Sequence, residues 1–493
     1  MVTTLMKTPP TLDSLKAFFA SQGAAAYLVG GYLRDSLLGL DSKDIDVAVK
    51  GDAVVLAREL ADSMGGAFVG LDTERGIARV VFVESGLVVD VSTYEGDILK
   101  DLARRDFTID AMALPLGDME ELGWREQVLD PLGGRRDMSL KLIRMTARDV
   151  FKEDPLRLLR ALRLAHRLGF QIEEATEGQV RRDTARLAQV SAERVRDEFL
   201  ALISPDGAYE GLGRLDGLGL LDYIIPELAL AKGVSQPKEH YWDVFEHTMQ
   251  TVKAAERITS SRADDALAQD VYGGDDVSSY FGEHVGDGHT RRTLLKLGAL
   301  FHDIAKPQTK AVDATGRTRF LGHPVLGASM AQKRLRALRM SARSVKSVGL
   351  MVEHHLRPTQ MSQGVETPTA RATHRFYREL GDTAVSVLYL SLADYVAARG
   401  PRLEVEEWRN RVAQVNHVLE NKRREEAPER KERLVTGHDL IEAFQLRPGP
   451  MFQTLLEGVE EAQAMGEVRD RVEALEWMKA ELAKERGLED TLA

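Results

Sequence analysis

The hydrophobic pattern of this chain changes near residue 138, and that change limits the folds open to it. Before that point, β-type runs such as YLVGG and DIDVAV alternate with helical ones such as YLRDSLLG. RVVFVESGLVVDVST contains two β-rich runs around Glu84-Ser85-Gly86, which predicts a hairpin. After that point, LRLLRALRLAHRLGF has leucines at helical spacing. The sequence therefore predicts an α+β chain, in which a head with a mixed sheet and helices is followed by mostly helical domains.

Length and composition exclude several classes of protein. A chain of 493 residues is too long for one compact core, so three or four structural units are expected. No apolar run approaches the roughly 20 residues of a membrane span, and the N-terminus lacks the apolar core of a secretory signal, which predicts a cytoplasmic protein. Because the chain has no cysteine, a transition-metal site must use His, Asp and Glu.

Charge is unevenly distributed along the chain. The net charge of −11 disfavours a protein coated by nucleic acid. Residues 131–200, however, contain fifteen Arg and Lys against eleven Asp and Glu. Contact with a polyanion is therefore expected in that region.

Three acidic residues in predicted strands are candidates for a metal site. Asp44 and Asp46 are two positions apart, so both carboxylates project from one face of their strand. Asp90, in an apolar strand, is expected to be a third ligand. Carboxylates suit Mg²⁺, and two ions about 3.5–4 Å apart can stabilise the attacking and leaving oxygens of nucleotidyl transfer. Alternatively, these acids form a polar strand face and a solvated edge.

A paired-glycine turn precedes these acids. Gly30 and Gly31 lie between a predicted strand and a predicted helix that contains Arg34. Glycines let the backbone approach a phosphate, while the helix N-terminus and Arg34 supply positive potential. The turn therefore predicts a phosphate-binding site.

GGYLRD followed nine residues later by D-x-D is the pattern of polymerase-β-type nucleotidyltransferases. The wording YLVGGYLRDSLLG…DIDVAV resembles the class II tRNA nucleotidyltransferase and bacterial poly(A) polymerase family. ARRDFTIDAMAL resembles the family's RRDxT motif, which implies that Arg105 and Asp106 contact the phosphates and ribose of the incoming nucleotide. DPLGG at 130–134 resembles the end of the family's head domain. Asp110 departs from the family, in which Asn is frequent at this position.

EDPLR matches the family's EDxxR motif. The resemblance implies that Asp154 and Arg157 form a protein template for the base of CTP or ATP, with Glu153 fixing Arg157. Arg160 is also predicted to bind the nucleotide. A carboxylate can accept from cytosine N4 and a guanidinium can donate to base acceptors. Asp154 is also a typical helix N-cap, and the two roles are compatible.

The segment that follows Asp90 departs from the family. Members that add the terminal A have a longer segment before RRDxT, with an arginine soon after the third acid. Here Tyr94 and Glu95 follow Thr93, and the arginines of RRDxT come soon after. The resemblance implies that this shortening marks an enzyme that adds only CC, although a trimmed surface loop is the simpler alternative.

A second cluster of candidate ligands, in the order H…HD…H…H…D, resembles the HD phosphohydrolase superfamily. The resemblance implies that His247, His302, Asp303 and Asp394 bind one metal of unknown identity. His323 and either His354 or His355 are expected nearby; all are counted as metal-site residues. The fused domain in bacterial relatives implies phosphatase or cyclic-phosphodiesterase activity.

The predicted domains are the head at 1–137, a helical neck and body at 138–235, the HD domain at 236–400 and a helical tail at 401–493. The tail resembles the family's C-terminal module, which implies contact with the tRNA elbow; an oligomerisation module is the alternative. The acidic, Gly- and Ser-rich segment 259–292 is expected to be a surface insertion, and the charged stretch 421–433 to separate the tail from what precedes it.

The predicted function is magnesium-dependent, template-independent addition of CMP from CTP to tRNA that lacks its CCA end. Four alternatives are a full CCA-adding enzyme, an A-adding enzyme, a poly(A) polymerase, and an HD phosphohydrolase with a non-catalytic RNA-binding head. A nonenzymatic tRNA chaperone is a fifth.

Overall fold

The computed structural model describes residues 11–260, 266–271, 274–362, 367–426, 434–447, 449–464 and 466–489. The chain divides into two compact units, 1–202 with 211–224 and 203–210 with 225–493. The predicted head and neck therefore fall largely in unit 1, and the predicted HD domain and tail in unit 2.

Unit 1 begins with a mixed sheet and helices, and continues as helices with a short two-stranded sheet. Its head elements are α1 Leu12–Ser21, β1 Ala26–Val29, α2 Gly30–Leu38, β2 Asp44–Val49, α3 Ala53–Met64, β3 Ala67–Asp72, β4 Ile77–Phe82, β5 Leu87–Thr93, α4 Ile98–Leu102 and β6 Ala113–Pro115. The following elements are α5 Gly134–Ser139, β7 Leu142–Ile143, α6 Val150–Glu153, α7 Arg157–Leu168, β8 Gln171–Ile172, α8 Glu174–Asp183, α9 Ala192–Ile203, α10 Ala208–Gly217 and α11 Leu221–Ile224.

The head sheet has the strand order β3-β4-β5-β2-β1-β6. Only β2 and β5 pair in parallel; the other neighbours are antiparallel. The β4–β5 hairpin confirms the turn predicted around residues 84–86. Alternation along β2 buries Ile45 and Val47 and leaves the acidic side chains on the opposite face. The sheet thus presents its carboxylates on a face that the apolar core does not cover.

The helical continuation is built around α7. Its leucines and alanines are buried while its arginines face outward, as the spacing predicted. The left-handed Gly169 ends the helix, with its N–H bonded to backbone carbonyls of the last turn. The arginines of this helix therefore lie on its polar side, next to the template residues, where Arg160 pairs with Asp106 and Arg163 with Glu198.

The described residues of unit 2 are mostly helical, with one small hairpin among them. Its first elements are α12 Val244–Ile258, α13 Ala266–Asp270, α14 Gly274–Gly282, α15 Arg291–Phe301, α16 Lys306–Thr309, β9 Lys310–Val312, β10 Thr318–Phe320, α17 His323–Ala337 and α18 Ala342–His354. The remaining elements are α19 Arg357–Met361, α20 Ala370–Leu380, α21 Ala384–Arg399, α22 Val405–Glu426, α23 Gly437–Phe444, α24 Pro450–Ala464 and α25 Arg471–Glu489.

The predicted insertion at 259–292 contains more than surface loop. Helices α13 and α14 form within it, and Phe281 is buried against Tyr389 with ring centroids 4.9 Å apart. Because the segment is polar overall, its few buried apolar residues did not indicate these helices in the sequence. Residues 261–265 and 272–273 of this segment, and 427–433 of the predicted charged separator, lie outside the described residues.

The last three helices, α23 to α25, share a hydrophobic core that includes Leu440, Leu455, Val459 and Met478. Among the helices that the structure describes, none is long and apolar enough to cross a bilayer.

Candidate active site and metal centre

The three predicted carboxylates lie together on the head sheet. In the parallel β2–β5 pair, Asp46 is the register partner of Asp90. Asp44 lies two residues before Asp46 on the same face and is exposed. The resulting set of carboxylate oxygens has the chemistry that Mg²⁺ prefers.

The glycine turn packs directly against Asp46. The N–H groups of Gly31 and Tyr32 donate to Asp46 Oδ2 at 3.1 and 3.4 Å. Gly30 has φ +61°, and a Cβ there would lie 3.1 Å from Asp46 Oδ2 and 3.2 Å from an Arg105 nitrogen. The turn, predicted to cradle a phosphate, therefore holds a carboxylate in this structure.

Asp46 has a perturbed pKa. Burial raises the pKa of this carboxyl to about 6; the charge of Arg105 opposes the rise and that of Asp90 adds to it. Neighbouring carboxylates repel one another, so a bound cation would favour the ionised form. The electrostatics of the site thus fit a divalent metal.

Arg34 is buried and paired with two carboxylates in this structure, and its contact with a nucleotide stays a prediction. Its side chain is only 2% exposed, and it forms ion pairs with Asp35 at 2.7 Å and with Asp110 at 2.5 Å. A buried guanidinium requires such partners, and in this structure its charge is balanced by these two carboxylates. The ion pair with Arg34 also gives a role to Asp110, which departs from the Asn that is frequent at this position in the family.

The RRDxT residues lie between the sheet and α7. Arg105 donates to Asp101 at 3.2 Å and lies close to Asp46. Asp106 is buried and pairs with Arg160 at 2.8 Å. Burial alone would raise the pKa of Asp106, but Arg160 and Arg157 hold it below its usual value. Arg160 and Asp106 therefore balance each other's charge here, and their contact with a nucleotide stays a prediction.

The EDxxR residues form a connected set. Glu153 lies 3.2 Å from Arg157, which also donates to the carbonyls of Val150 and Arg104, each at 3.2 Å. These three acceptors fix the guanidinium. The expected support of Arg157 by Glu153 is thus present in the structure.

Asp154 is held from two sides. One oxygen accepts the N–H of Leu156 at 3.1 Å just before α7, which begins at Arg157 with Leu156 as its N-cap, so Asp154 is not the cap of this helix. The other lies 2.7 Å from Arg194 on α9. Arg194 was missed by the sequence analysis, because nothing in its local sequence indicates its distant partner.

A cleft of about 1690 Å³ opens beside these residues within unit 1. Its lining includes Arg105, Asp154, Arg157, Arg160 and Arg194. The arginines supply the positive potential that an anionic ligand requires.

The short segment after Asp90 is packed into the head. Tyr94, Ile98 and Leu102 are buried in a cluster that includes Val29 and Ala113. Tyr94 is 5% exposed. Helix α4 within this segment is capped by Asp97, which accepts the N–H of Leu99. The segment is therefore a tethered element of the head.

In unit 2, five of the predicted metal ligands converge; we call this set the HD centre. His247 Nε2 lies 3.3 Å from Asp303 and 3.1 Å from Asp394. His302 Nε2 lies 3.1 Å from Asp303. On the other side of Asp303, His323 and His355 approach its second oxygen at 3.4 and 3.9 Å. The set comprises His247, His302, Asp303, His323 and His355, with Asp394 alongside.

Three of these imidazoles are oriented for a metal. The Nδ1 atoms of His302, His323 and His355 lie 2.7–2.8 Å from backbone carbonyls. A carbonyl only accepts, so Nδ1 carries the proton and each Nε2 is directed to the centre, where that of His302 lies 3.1 Å from that of His247. Buried Asp303 Oδ1 and His323 Nε2 have no hydrogen-bond partner among the described residues. These unsatisfied atoms fit a bound divalent cation.

Of the two alternatives, His354 and His355, the structure places His355 in the HD centre. The Nε2 of His354 lies 3.8 Å from Glu379, whereas the adjacent His355 points inward. Successive residues near a helix end point about 100° apart, so only one of the two can face the centre.

Two further residues border the HD centre and were missed. Lys306 lies 2.6 Å from Asp303 and donates to Gln236. His240 packs edge-on against His247 with ring centroids 5.2 Å apart. Lys306 is three residues beyond Asp303, so helical spacing could have indicated it. Both line a cavity of about 460 Å³ that reaches the HD centre.

Comparisons with known proteins agree with this arrangement. The poly(A) polymerase head domain model matches residues 26–97 and 78–144, the HD domain model 244–399, and the tRNA nucleotidyltransferase domain 2 model 326–478. An A-adding tRNA nucleotidyltransferase of Deinococcus radiodurans is 34% identical over 91% of this chain and 94% of its own. A CC-adding tRNA nucleotidyltransferase of Thermus thermophilus is 30% identical over 94% and 96%.

Solved structures share the fold. The Thermotoga maritima CCA-adding enzyme complexed with tRNA has a TM-score of 0.59 at 20% identity, covering 97% of both chains. A CCA-adding enzyme with CTP has a TM-score of 0.61 at 20% identity, covering 94% of this chain and 93% of that one. Because the relatives match along nearly their whole length, the chain belongs to the class II tRNA nucleotidyltransferase and poly(A) polymerase family with a fused HD domain, and it is an enzyme.

Proposed function

We propose that this enzyme adds two cytidines from CTP to the 3′ end of tRNA that lacks its CCA terminus, and then stops. The observation that carries the proposal is the short, buried segment Tyr94–Leu102. A template that accepts first CTP and then ATP must change its geometry. In the family, that change is associated with a longer loop at the position of this segment.

The packing of the segment resists such movement. Tyr94, Ile98 and Leu102 are each almost fully buried. Exposing a buried side chain of this size costs roughly 1.5–3 kcal/mol. Displacing all three would therefore cost several kcal/mol, and nothing in the segment's polar contacts offsets that cost.

Asp44, Asp46 and Asp90 would hold Mg²⁺, which supplies charge stabilisation at the attacking and leaving oxygens of the transfer. Gly31 and Tyr32 orient Asp46 through their N–H groups. Arg105, at the edge of the cleft, binds phosphate of the incoming nucleotide by charge. The nucleotide is thus positioned by groups fixed before it arrives.

Base selection falls to Asp154 and Arg157. Arg194 holds Asp154 ionised, since the hydrogen bond and charge of Arg194 overcome burial and lower the pKa of this carboxyl. An ionised carboxylate accepts from cytosine N4, and the Arg157 guanidinium donates to the cytosine acceptors. Glu153 limits the directions in which Arg157 can point.

The partner we propose is tRNA in the cytoplasm. A structural neighbour was solved in complex with tRNA, and the relatives are named for acting on it. The packed helices α23–α25 are proposed to contact the tRNA elbow.

Addition of A alone is the second candidate, because the Deinococcus radiodurans relative is named for it. One substrate separates the two: a tRNA that already ends in CC, offered with ATP. The proposal expects no extension above background. Efficient addition of one A would overturn the proposal in favour of an enzyme that adds the terminal A.

We further propose that the HD centre binds divalent metal and hydrolyses phosphate monoesters or cyclic phosphodiesters. Support comes from the convergent Nε2 atoms around Asp303 and from Lys306, whose charge suits an anionic substrate in the adjoining cavity. Release of phosphate from model esters, measured with Mg²⁺, Mn²⁺, Ni²⁺ and Co²⁺ in turn, tests this. Inactivity with all four metals would indicate a structural HD domain.

A further inference from the structure

Arg79 shares a row of the head sheet with the catalytic carboxylates. It is the register partner of Asp90 across β4–β5, and Asp90 is the partner of Asp46 across β5–β2. Register partners project from the same face of a sheet. One face of the sheet therefore carries Arg79, Asp90 and Asp46 side by side on the adjacent strands β4, β5 and β2.

The contact between Arg79 and Asp90 is bidentate. Nε donates to Oδ1 at 2.7 Å and Nη2 donates to Oδ2 at 2.8 Å. Such a fork fixes the plane of the carboxylate as well as its charge. The Arg79 side chain is 41% exposed and that of Asp90 26%, and ion pairs this open contribute little to stability. Fold stability alone therefore gives little reason for this geometry.

We infer that Arg79 is a positioning residue of the nucleotidyl-transfer site, which holds Asp90 in the orientation that a divalent cation shared with Asp46 requires. The inference rests on the proposed role of Asp90 as a metal ligand. Each carboxylate oxygen has two acceptor sites, and the fork occupies one on each. The remaining sites stay available on a carboxylate that can no longer rotate.

The direction of the expected effect follows from this geometry. Carboxylates that bind metal are usually hydrogen-bonded by a neighbour, and loss of that neighbour typically weakens metal binding about 10–100-fold. If Arg79 instead acted only as a cation near the site, its removal would tighten metal binding, because a repulsive charge would be gone. The sign of the change therefore separates the two roles.

The test uses the full chain with Arg79→Met, Arg79→Gln and Arg79→Lys, and Arg58→Met as the matched control. Arg58 stacks on Phe68 at 4.3 Å, elsewhere in the same domain. Two quantities are measured: Mn²⁺ bound with CTP present and tRNA absent, by electron paramagnetic resonance, and the Mg²⁺ concentration for half-maximal CMP addition. Mn²⁺ bound by Asp44→Ala is subtracted, since it reports the HD centre.

We expect metal binding about 10-fold weaker or more in the Met and Gln variants. Lysine, which keeps the charge but loses the fork, should be intermediate, and the control should match wild type. Unchanged or tighter binding in whichever neutral variant retains the wild-type circular dichroism spectrum would overturn the inference.

Asp90→Asn distinguishes this outcome from failure of the proposed function. If Asp90→Asn binds metal and adds CMP as wild type does, the ligand assignment itself is wrong. If Asp90→Asn loses metal binding and CMP addition while Arg79→Met keeps both properties, only the positioning role of Arg79 is wrong. If both roles hold, adding Arg79→Met to Asp90→Asn should change metal binding no further.

Discussion

At the scale of single residues, sequence reasoning located side chains that can bind metal but not the partners that hold them. Asp44, Asp46 and Asp90 were recognisable because carboxylates in apolar strands are unusual. Arg79 and Arg194 were not, since their contacts depend on strand register and on the approach of a distant helix.

Arg34 shows how a local motif leaves the surroundings of a side chain open. Its position at the N-terminus of α2 predicted a phosphate contact, but the structure buries it between two carboxylates. Sequence alone did not indicate that Asp110 would approach from 76 residues away. A local motif predicts what a side chain can do, whereas burial decides what it is free to do.

The first residue-scale prediction concerns Asp44. Asp44→Ala should reduce CMP addition at least about 100-fold, because the site loses a group that stabilises developing charge. Its exposed side chain contributes little to the core, so the thermal midpoint should stay close to that of wild type. Initial rates and a melting curve measure both. Near-normal transfer by the folded variant would remove Asp44 from the site.

The second concerns Arg157. Arg157→Ala should lower selectivity for CTP over UTP and ATP by about 10-fold or more, because a lost donor costs about 1–3 kcal/mol of base discrimination. Arg163→Ala, on the same helix and paired with Glu198, is the control and should leave selectivity intact. Competition assays with mixed nucleotides give the ratios. Wild-type ratios would make Arg157 a purely structural residue.

At the scale of elements, periodicity predicted the hairpin β4–β5, the strand β2 and the helix α7, all of which the structure contains. It did not identify β3, whose AFVGLD is mostly exposed and ends in a bulge. Neither did it find the helices within 259–292, because a few buried side chains stabilise a segment that is otherwise polar.

The segment after Thr93 carries the element-scale prediction. Insertion of a longer, arginine-containing loop there should confer measurable A addition on a tRNA ending in CC, because the template would gain a mobile neighbour. A Gly/Ser insertion of equal length is the control for simple loosening. The prediction fails if the arginine-containing insertion, with CMP addition preserved, incorporates no more AMP than wild type.

At the scale of the whole molecule, the two sites lie in different compact units and share no ligand. Composition anticipated the residue types, because metal sites in a chain without cysteine must be built from His, Asp and Glu. The four predicted domains fall largely two to a unit, and the packing that joins them within a unit depends on contacts between distant segments, which the sequence does not display.

The whole-molecule prediction is that the two sites act independently of each other. Asp303→Asn should abolish metal binding and any hydrolysis at the HD centre while CMP addition stays within about twofold of wild type. Asparagine keeps the shape of Asp303, so the buried cluster loses charge without gaining a cavity. Phosphatase and transfer assays are run on the same preparation. Loss of transfer in a folded variant would contradict the independence.

The most direct test of the central claim is the length of the product made on a tRNA that ends at its discriminator base. All four nucleotides are supplied, and the products are resolved on a sequencing gel. The dominant product should be two nucleotides longer and end in CC, even after long incubation with ATP. A dominant product three nucleotides longer and ending in A would contradict the claim.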